Sequence, residues 1–480
     1  MRIPSLFARF ILPFFAFFIL AGSLFAQTAL QRQMAARKML YPQEQWSNWQ
    51  DYPVRTVQDI SPAPKDVALD RFGGRLDRRS VKTGFYYTRK IDGRWWLIDP
   101  DGHLFLNAAV VGVTPTRSPG PAAALAKAFG TEDAWMKFTH DQLLSNRFNG
   151  LGAWSDISLL RATPAQSSHP LAYTINLDIM SAYGAKHGGT YDVPGHKGYP
   201  ENTIFAFDPA FETFADQYVD ERVAAYRSDP NLLGYFSDNE LPLKRANLDG
   251  FLSLPATDPG RKAAEQWMLD HHAATPTDDL RTEFLEFEAD HYYSIVSSAI
   301  KKADPNHLYL GSRVYILDPV VFRAAGKYAD AISINVYGVW QLDSATIAMW
   351  ERESGKPFMV TEFYAKGEDS GMRNHSGAGW LVHTQDDRGI FYENFVLALL
   401  QSGSFVGWHW FKYQDNDPDD PHAEASNRDS NKGIVDRFYK PYDPLLARMR
   451  ELNTKIYGIV DAFDAASGQA ATETHDAHHI

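Results

Sequence analysis

The 480-residue chain contains no cysteine. Disulfide bonds, thiolate metal sites, cysteine nucleophiles and a lipidated N-terminal cysteine are therefore excluded. Basic residues are also few, because 47 Lys and Arg stand against 59 Asp and Glu and give a formal net charge of −12. This acidic balance argues against a nucleic acid partner, since binding to a phosphate backbone requires a basic surface.

Long apolar runs are missing after the first 26 residues. Residues 1–26 have the pattern of a secretory signal peptide, in which Arg2 and Arg9 precede an apolar stretch and small residues lead to a cleavage site after Ala26. An uncleaved membrane anchor is the alternative, although the apolar stretch is short for a bilayer span of about 20 residues. The sequence thus predicts export to the periplasm or the extracellular medium, with no integral membrane span in the mature chain.

The rest of the chain has an ordinary globular composition, with 44% hydrophobic and 22% charged residues. Near its beginning, Asp-Gly turns separate runs rich in aromatic and branched residues. Phe85–Ile91 and Trp95–Asp99 flank Asp92-Gly93, and a second turn precedes Leu104–Val113. These signals are typical of antiparallel hairpins. Residues 27–103 are therefore predicted to form a small irregular and β-rich segment.

From about residue 104, apolar strand candidates alternate with amphipathic helices. Such alternation indicates parallel strands joined by right-handed crossovers. Eight units favour an α/β fold of the closed (β/α)8 TIM barrel type over an open doubly wound sheet, and no glycine-rich phosphate-binding motif follows any strand. The barrel is predicted over residues 104–460, followed by a flexible tail over residues 461–480. The strand candidates are Leu104–Val111, Asn149–Trp154, Tyr173–Leu177, Leu232–Phe236, His307–Gly311, Ala331–Val336, Pro357–Thr361 and Phe405–Trp408.

Two of the predicted strands end in a glutamate. Glu240 follows strand four and Glu362 follows strand seven. Because a TIM barrel carries its active site at the carboxyl ends of its strands, and strands four and seven lie on opposite sides of the ring, these carboxylates can face each other. A single strand-end glutamate is usually a loop or helix-cap residue. A facing pair instead suits glycoside hydrolysis, in which one carboxylic acid protonates the leaving oxygen and one carboxylate attacks the anomeric carbon.

The pattern of Asn-Glu after strand four and Glu after strand seven resembles clan A of the glycoside hydrolases, which are retaining (β/α)8 enzymes. Several further runs resemble the β-agarases of glycoside hydrolase family 50. The resemblance spans about residues 85–455 and implies that Glu240 is the acid/base, that Glu362 is the nucleophile, and that the chemistry needs no metal or cofactor. The resembling runs are Trp96–Gly102, Gly234–Glu240, Gly379–Gln385, Val406–Phe411 and Ser430–Ile434.

The same resemblance implies roles for residues beside the two glutamates. Asn239 is expected to hydrogen-bond the sugar 2-hydroxyl, a contact that strengthens in the transition state. Tyr337, after strand six, is expected to donate to Glu362. Three further substrate-binding candidates lie at strand ends. They are Asn335 on the same strand end as Tyr337, Trp154 near the end of strand two and Arg313 near the end of strand five.

Strand eight ends in a run of aromatic residues that supplies the last binding candidates. Trp408 and Trp410 are expected to offer a flat apolar wall beneath a sugar ring. Alternate residues of a strand share a face, and crowding limits the site, so one of the two tryptophans is expected in the core. His409 lies between them and is the third candidate, with an outward orientation as the alternative.

The sequence therefore predicts an exported retaining β-glycosidase that hydrolyses β-galactosidic linkages of a polysaccharide or its oligosaccharides, with β-agarase as the leading hypothesis. Two alternatives stay open. One is a clan A hydrolase acting on another β-glycan, such as a glucan, a mannan or a sulfated galactan. The other is a catalytically silent carbohydrate-binding barrel. A metal-dependent hydrolase is disfavoured, because no histidine-rich ligand spacing occurs at the strand ends.

Overall fold

A computed structural model describes residues 32–40, 45–193 and 195–476, so that the signal peptide expected over residues 1–26 lies outside the described residues. The described chain begins with short antiparallel strands. They form two separate two-stranded sheets, which pair Gln33–Ala36 with Gln50–Pro53 and Met39–Leu40 with Gln45–Trp46.

A four-stranded antiparallel sheet follows these short strands. Its hairpin confirms the sequence prediction, because Asp92 and Gly93 both have positive φ, as the two central residues of a type I′ turn require. The sheet is tied to the C-terminal helix by ion pairs. In spatial order its strands are Arg75–Arg79, His103–Phe105, Arg94–Ile98 and Tyr87–Ile91.

The centre of the molecule is a parallel eight-stranded sheet that curls into the predicted barrel. Strands one to five and strands six to eight pair in parallel with their sequence neighbours, and the eighth also pairs with the first. The ring closes between strands five and six, where the amide of Val314 donates to Ser333 and the amide of Asn335 donates to Val314, both at 2.9 Å. The strands, called barrel strands one to eight below, are Asn107–Val110, Gly150–Leu151, Ala172–Asn176, Leu232–Phe236, Leu308–Tyr309, Ile332–Asn335, Phe358–Phe363 and Phe405–Trp410.

The apolar run predicted as one strand over Leu104–Val111 is divided in the structure. His103–Phe105 belongs to the antiparallel sheet, whereas Asn107–Val110 is barrel strand one. Between them, the amide of Leu106 donates to the Tyr457 hydroxyl at 3.3 Å. Because every residue of the run is buried in one sheet or the other, hydrophobicity alone does not reveal where the chain changes sheets.

Twelve α-helices are present in the described part of the chain, and most of them pack around the barrel. Thr131 caps the helix Glu132–Ser145, because its side chain accepts a hydrogen bond from the amide of Ala134. None of the helices among these described residues combines the length and the apolar character that crossing a membrane requires. The helices are Pro119–Phe129, Glu132–Ser145, Ile157–Ala162, Ile179–His187, Phe211–Val223, Asn247–Ser253, Pro259–Asp270, Asp278–Ala303, Pro319–Gly326, Ser344–Ser354, Gln385–Ser402 and Asp443–Asp476.

The last helix differs from the sequence expectation of a flexible tail over residues 461–480. The helix Asp443–Asp476 continues through most of that segment. Asp461 pairs with Arg75 at 2.7 Å, and Asp464 pairs with Arg94 at 2.5 Å, so the start of the expected tail contacts the antiparallel sheet. Its many alanines favour helix, although the small and polar composition resembles that of a tail.

Candidate active site

A cavity of about 1500 Å³ opens where the barrel strands end. It is lined by both predicted catalytic carboxylates, Glu240 and Glu362, and by Asn239, Tyr337 and Trp154. Residues that are far apart in sequence therefore converge on one pocket, as expected for the carboxyl-terminal face of a TIM barrel.

Glu362 lies within barrel strand seven and is only 5% exposed. Its Oε1 accepts a hydrogen bond from Nη2 of Arg313 at 2.5 Å, and its Oε2 accepts one from the Tyr337 hydroxyl. A guanidinium and a phenol that both donate to one carboxylate fix the position of its two oxygens. The expected contact between Tyr337 and Glu362 is therefore present, and the carboxyl group of Glu362 is held in one orientation.

Glu240 lies just beyond barrel strand four with a backbone φ of 51°. Positive φ is uncommon for a glutamate and is concentrated at functional sites. Its Oε1 accepts a hydrogen bond from Nδ2 of Asn335 at 2.8 Å. Burial, together with the negative charge of Glu362, raises the pKa of Glu240 to about 7, while the Asn335 contact and the charge of Arg313 act in the opposite direction. Glu240 is thus suited to carry a proton near neutral pH.

Arg313 links the residues around the two carboxylates. It is completely buried, and its Nη1 donates to Oδ1 of Asn239 at 2.8 Å while its Nη2 donates to Glu362. The guanidinium carbon also lies 5.4 Å from the centre of the Trp154 ring, which is 43% exposed and lines the cavity. The sequence predicts a sugar contact for Arg313, whereas the structure places it where it orients Asn239 and Glu362.

The tryptophans of barrel strand eight do not reach the cavity. Trp408 and Trp410 are both fully buried, and their indole nitrogens donate to the Tyr392 hydroxyl at 2.8 Å and to the Lys432 carbonyl at 2.9 Å. The sequence predicts a sugar platform for this pair and the core for one member, but both belong to the core. Alternation along the strand is correct, yet the pattern does not tell which set of residues faces the helices.

His409 consequently points into the barrel interior. Its Nε2 lies 2.7 Å from Oδ1 of Asn107, and it is fully buried and does not line the cavity. Burial and the nearby charge of Arg313 lower the pKa of His409 to about 3, so the imidazole is neutral. His409 therefore packs inside the barrel beneath the site, and the expected substrate contact is not formed.

Several residues that line the cavity have no counterpart among the sequence candidates. Two are aromatic side chains that are each 49% exposed, Tyr315 and Phe438. Lys412 and Lys432 also line the cavity. The sequence held a signal for two of these residues. Tyr315 comes two residues after the candidate Arg313, and Lys432 lies within Ser430–Ile434, one of the runs that resemble family 50.

Away from the cavity, three side chains that can ligate a metal lie together in the described part of the chain. The ligand atoms of Asp70, Asp99 and His103 all lie within 4.8 Å of one another. Asp70 Oδ2 lies 3.0 Å from Nδ1 of His103, and Asp99 Oδ1 accepts the amides of Asp101 and His103. Burial, and secondarily the charge of Asp70, raises the pKa of Asp99 to about 7. These contacts indicate a hydrogen-bonded turn that prefers a neutral Asp99.

Asp99→Asn is expected to raise Tm by about 2–4 °C at pH 8 and by less than about 1 °C at pH 4. The folded-state pKa of Asp99 exceeds its ordinary value of 3.8, so the native state binds the proton more tightly and is penalised as pH rises toward 7. An amide avoids that penalty. Thermal unfolding at the two pH values measures the difference.

Asp101→Asn is the matched control, because the Asp101 carboxylate pairs with Arg71 at 2.9 Å and with Lys82 at 2.7 Å and its pKa is lowered. That stabilisation is present above the ordinary pKa and is lost in acid, so the control should lower Tm at pH 8. If Asp99→Asn instead lowers Tm at pH 8 as much as the control does, the ionised carboxylate of Asp99 beside Asp70 stabilises the fold and the prediction is wrong.

No protein-family model matches the chain. The chain is 25% identical over 481 residues to β-agarase B of Vibrio sp. (strain JT0107), which covers 80% of this chain and 50% of that protein. It is 27% identical over 400 residues to β-agarase A of the same strain, with coverage of 72% and 38%. The chain thus spans half or less of the length of these agarases.

Solved structures share the fold. BpGH50 matches with a TM-score of 0.80 and 27% identity, covering 90% of this chain and 96% of that chain. The agarase AgWH50C matches with a TM-score of 0.68 and 23% identity, covering 83% of this chain and 67% of that chain. At this identity the match shows a shared fold and nothing more. The protein is therefore a homologue of β-agarases and has the fold of a structure designated GH50.

Proposed function

We propose that the protein is an exported retaining glycoside hydrolase that cleaves β-galactosidic linkages of agarose or its oligosaccharides. The observation that carries the proposal is the unequal environment of the two glutamates in one cavity. Glu362 accepts hydrogen bonds from Arg313 and Tyr337, one on each carboxylate oxygen, whereas the pKa of Glu240 is raised to about 7. Homology to β-agarases supports the substrate class.

In the proposed double displacement, Glu362 attacks the anomeric carbon while Glu240 protonates the departing glycosidic oxygen. The bond between the anomeric carbon and that oxygen breaks, and a covalent glycosyl-enzyme forms. Glu240, now ionised, then removes a proton from water, whose oxygen attacks the anomeric carbon and releases Glu362. While Glu362 is esterified it carries no charge, so the pKa of Glu240 falls and favours its role as a base.

The cavity walls suit a chain of sugar residues. Its volume of about 1500 Å³ exceeds the roughly 300–1000 Å³ of sites for small ligands. Trp154 and Tyr315 expose aromatic surface, which packs against the apolar C–H faces of sugars. Among the described residues, Nδ2 of Asn239 makes no hydrogen bond, and we assign it to the 2-hydroxyl of the sugar at Glu362.

A polysaccharide panel tests the proposal. Purified protein is expected to release reducing ends from agarose and little from β-glucan, mannan or a sulfated galactan, with Glu362→Gln as the inactive control. Product release from another glycan instead would replace the agarose assignment while keeping the chemistry. Binding of agarose without any product from the whole panel would contradict the enzymatic proposal and favour a carbohydrate-binding barrel.

A further inference from the structure

Lys432 forms part of the cavity wall that also holds Glu362, yet the displacement reaction does not use it. Its main chain is fixed on both sides. The amide donates to Oδ1 of Asp415 at 2.8 Å, and the carbonyl accepts from the Trp410 indole at 2.9 Å and from the Lys412 amide at 3.1 Å. The residue is only 1% exposed. Its side chain is therefore presented to the cavity from a rigid base.

The amino group of Lys432 lacks a hydrogen-bond acceptor among the described residues. Its Nζ lies 5.0 Å from the centre of the Phe411 ring, which also lines the cavity. The neighbouring Lys412 differs, because its Nζ donates to Oδ1 of Asn416 at 2.6 Å. An amine that faces a cavity with unused donors can hydrogen-bond an oxygen of a molecule bound there. A substrate that displaces water from this cavity can supply that oxygen.

The charges nearby favour a neutral oxygen over an anion. Three carboxylates act on Lys432, those of Glu424, Asp415 and Glu362, against one further cation, Lys412. Burial and the charge of Lys412 hold the pKa of Lys432 well below its usual range. Around Lys432 itself, two lysines among three carboxylates leave no excess of positive charge for a sulfate or carboxylate substituent, and like-charge contacts are costly. A sugar hydroxyl, which both donates and accepts, fits either protonation state of the amine.

We propose that Lys432 is a specificity-determining residue that hydrogen-bonds an unsubstituted hydroxyl of the sugar bound against Glu362 and so selects neutral over O-sulfated sugars. This inference rests on the proposed glycosidase function. In this proposal Lys432 distinguishes a free sugar hydroxyl from a sulfated one, whereas Glu240 and Glu362 break and form the bonds.

The test compares kcat/KM for a neutral galactan oligosaccharide and for its O-sulfated form, using wild type, Lys432→Met and the control Lys440→Met. Lys440 is an exposed lysine that does not line the cavity. Lys432→Met is expected to lose about 10- to 100-fold on the neutral sugar and little on the sulfated one. The control should match wild type on both substrates.

The ratio of the two kcat/KM values separates a contact from a structural effect. A partly unfolded preparation lowers both values equally and leaves the ratio unchanged, and Lys432→Gln serves as a second variant if Lys432→Met does not fold. An equal loss on both substrates in a variant whose circular dichroism and Tm match wild type, an unaltered Lys432→Met enzyme, or a wild type that prefers the sulfated sugar would each overturn the assignment. A wild type that cleaves no glycan overturns the proposed function itself, which distinguishes the two failures.

Discussion

Replacing Glu362 with glycine is expected to lower kcat by roughly 10⁵-fold, because the attacking carboxylate is removed. Added azide is then expected to restore turnover. The azide anion occupies the space that the side chain vacates, attacks the anomeric carbon from the same face and forms a glycosyl azide of inverted anomeric configuration, while Glu240 protonates the departing oxygen. NMR of the product from a β-galactoside substrate identifies the configuration.

Glu362→Gln is the matched control for this rescue. The amide keeps the volume of the side chain and one acceptor oxygen, so it leaves no space for azide and should stay inactive. Near-wild-type turnover in Glu362→Gly would contradict the nucleophile assignment. Azide rescue with inversion in a Glu240→Gly variant, and not in Glu362→Gly, would show that the two roles are exchanged.

Replacing Glu240 with glutamine is expected to lower kcat/KM on the oligosaccharide by about 10²- to 10⁴-fold, the usual contribution of a general acid. Its pKa of about 7 lies above the ordinary value of 4.5, and the protonated form is the donor. Wild-type kcat/KM is therefore expected to be high below pH 7 and to fall as the pH rises through about 7. Glu240→Gln should lose this alkaline limb. A pH profile of kcat/KM for both proteins measures it.

Two controls isolate the proton transfer. The dinitrophenolate group of a 2,4-dinitrophenyl galactoside departs without needing a proton. Glu240→Gln should therefore lose much less kcat/KM on this substrate than on the oligosaccharide. The side-chain amide of Asn335 donates to Glu240 at 2.8 Å and lowers the pKa of Glu240. Asn335→Leu removes this donor, so the pKa of Glu240 should rise and the alkaline limb should move to higher pH. An unchanged limb in Glu240→Gln would mean that another group supplies the proton.

Much of this architecture can be predicted from the sequence because it follows from local patterns. Apolar runs of strand length alternate with amphipathic helices, and this alternation alone indicates eight parallel strands. Glu240 and Glu362 each come directly after or within such a run, and strand ends share one face of a barrel. The convergence of the two glutamates on one cavity therefore follows from strand order.

The sequence pattern does not predict which face of a strand a side chain occupies when both faces are buried. Trp408, His409 and Trp410 are all buried, so hydrophobicity cannot tell which of them faces the helices and which faces the barrel interior. The structure directs both tryptophans to the helix side and His409 inward, the reverse of the arrangement that would place a tryptophan beneath the sugar. Register is set by the packing of the whole ring.

By itself, the sequence determined the fold class, the order of the strands and the two glutamates, since each depends on residues that are close together along the chain. Only the tertiary structure decided that Arg313 joins Asn239 to Glu362, that Lys432 enters the cavity and that Glu240 holds its proton near pH 7. The reason is that burial and the field of neighbouring charges act through space, between residues that lie far apart along the chain.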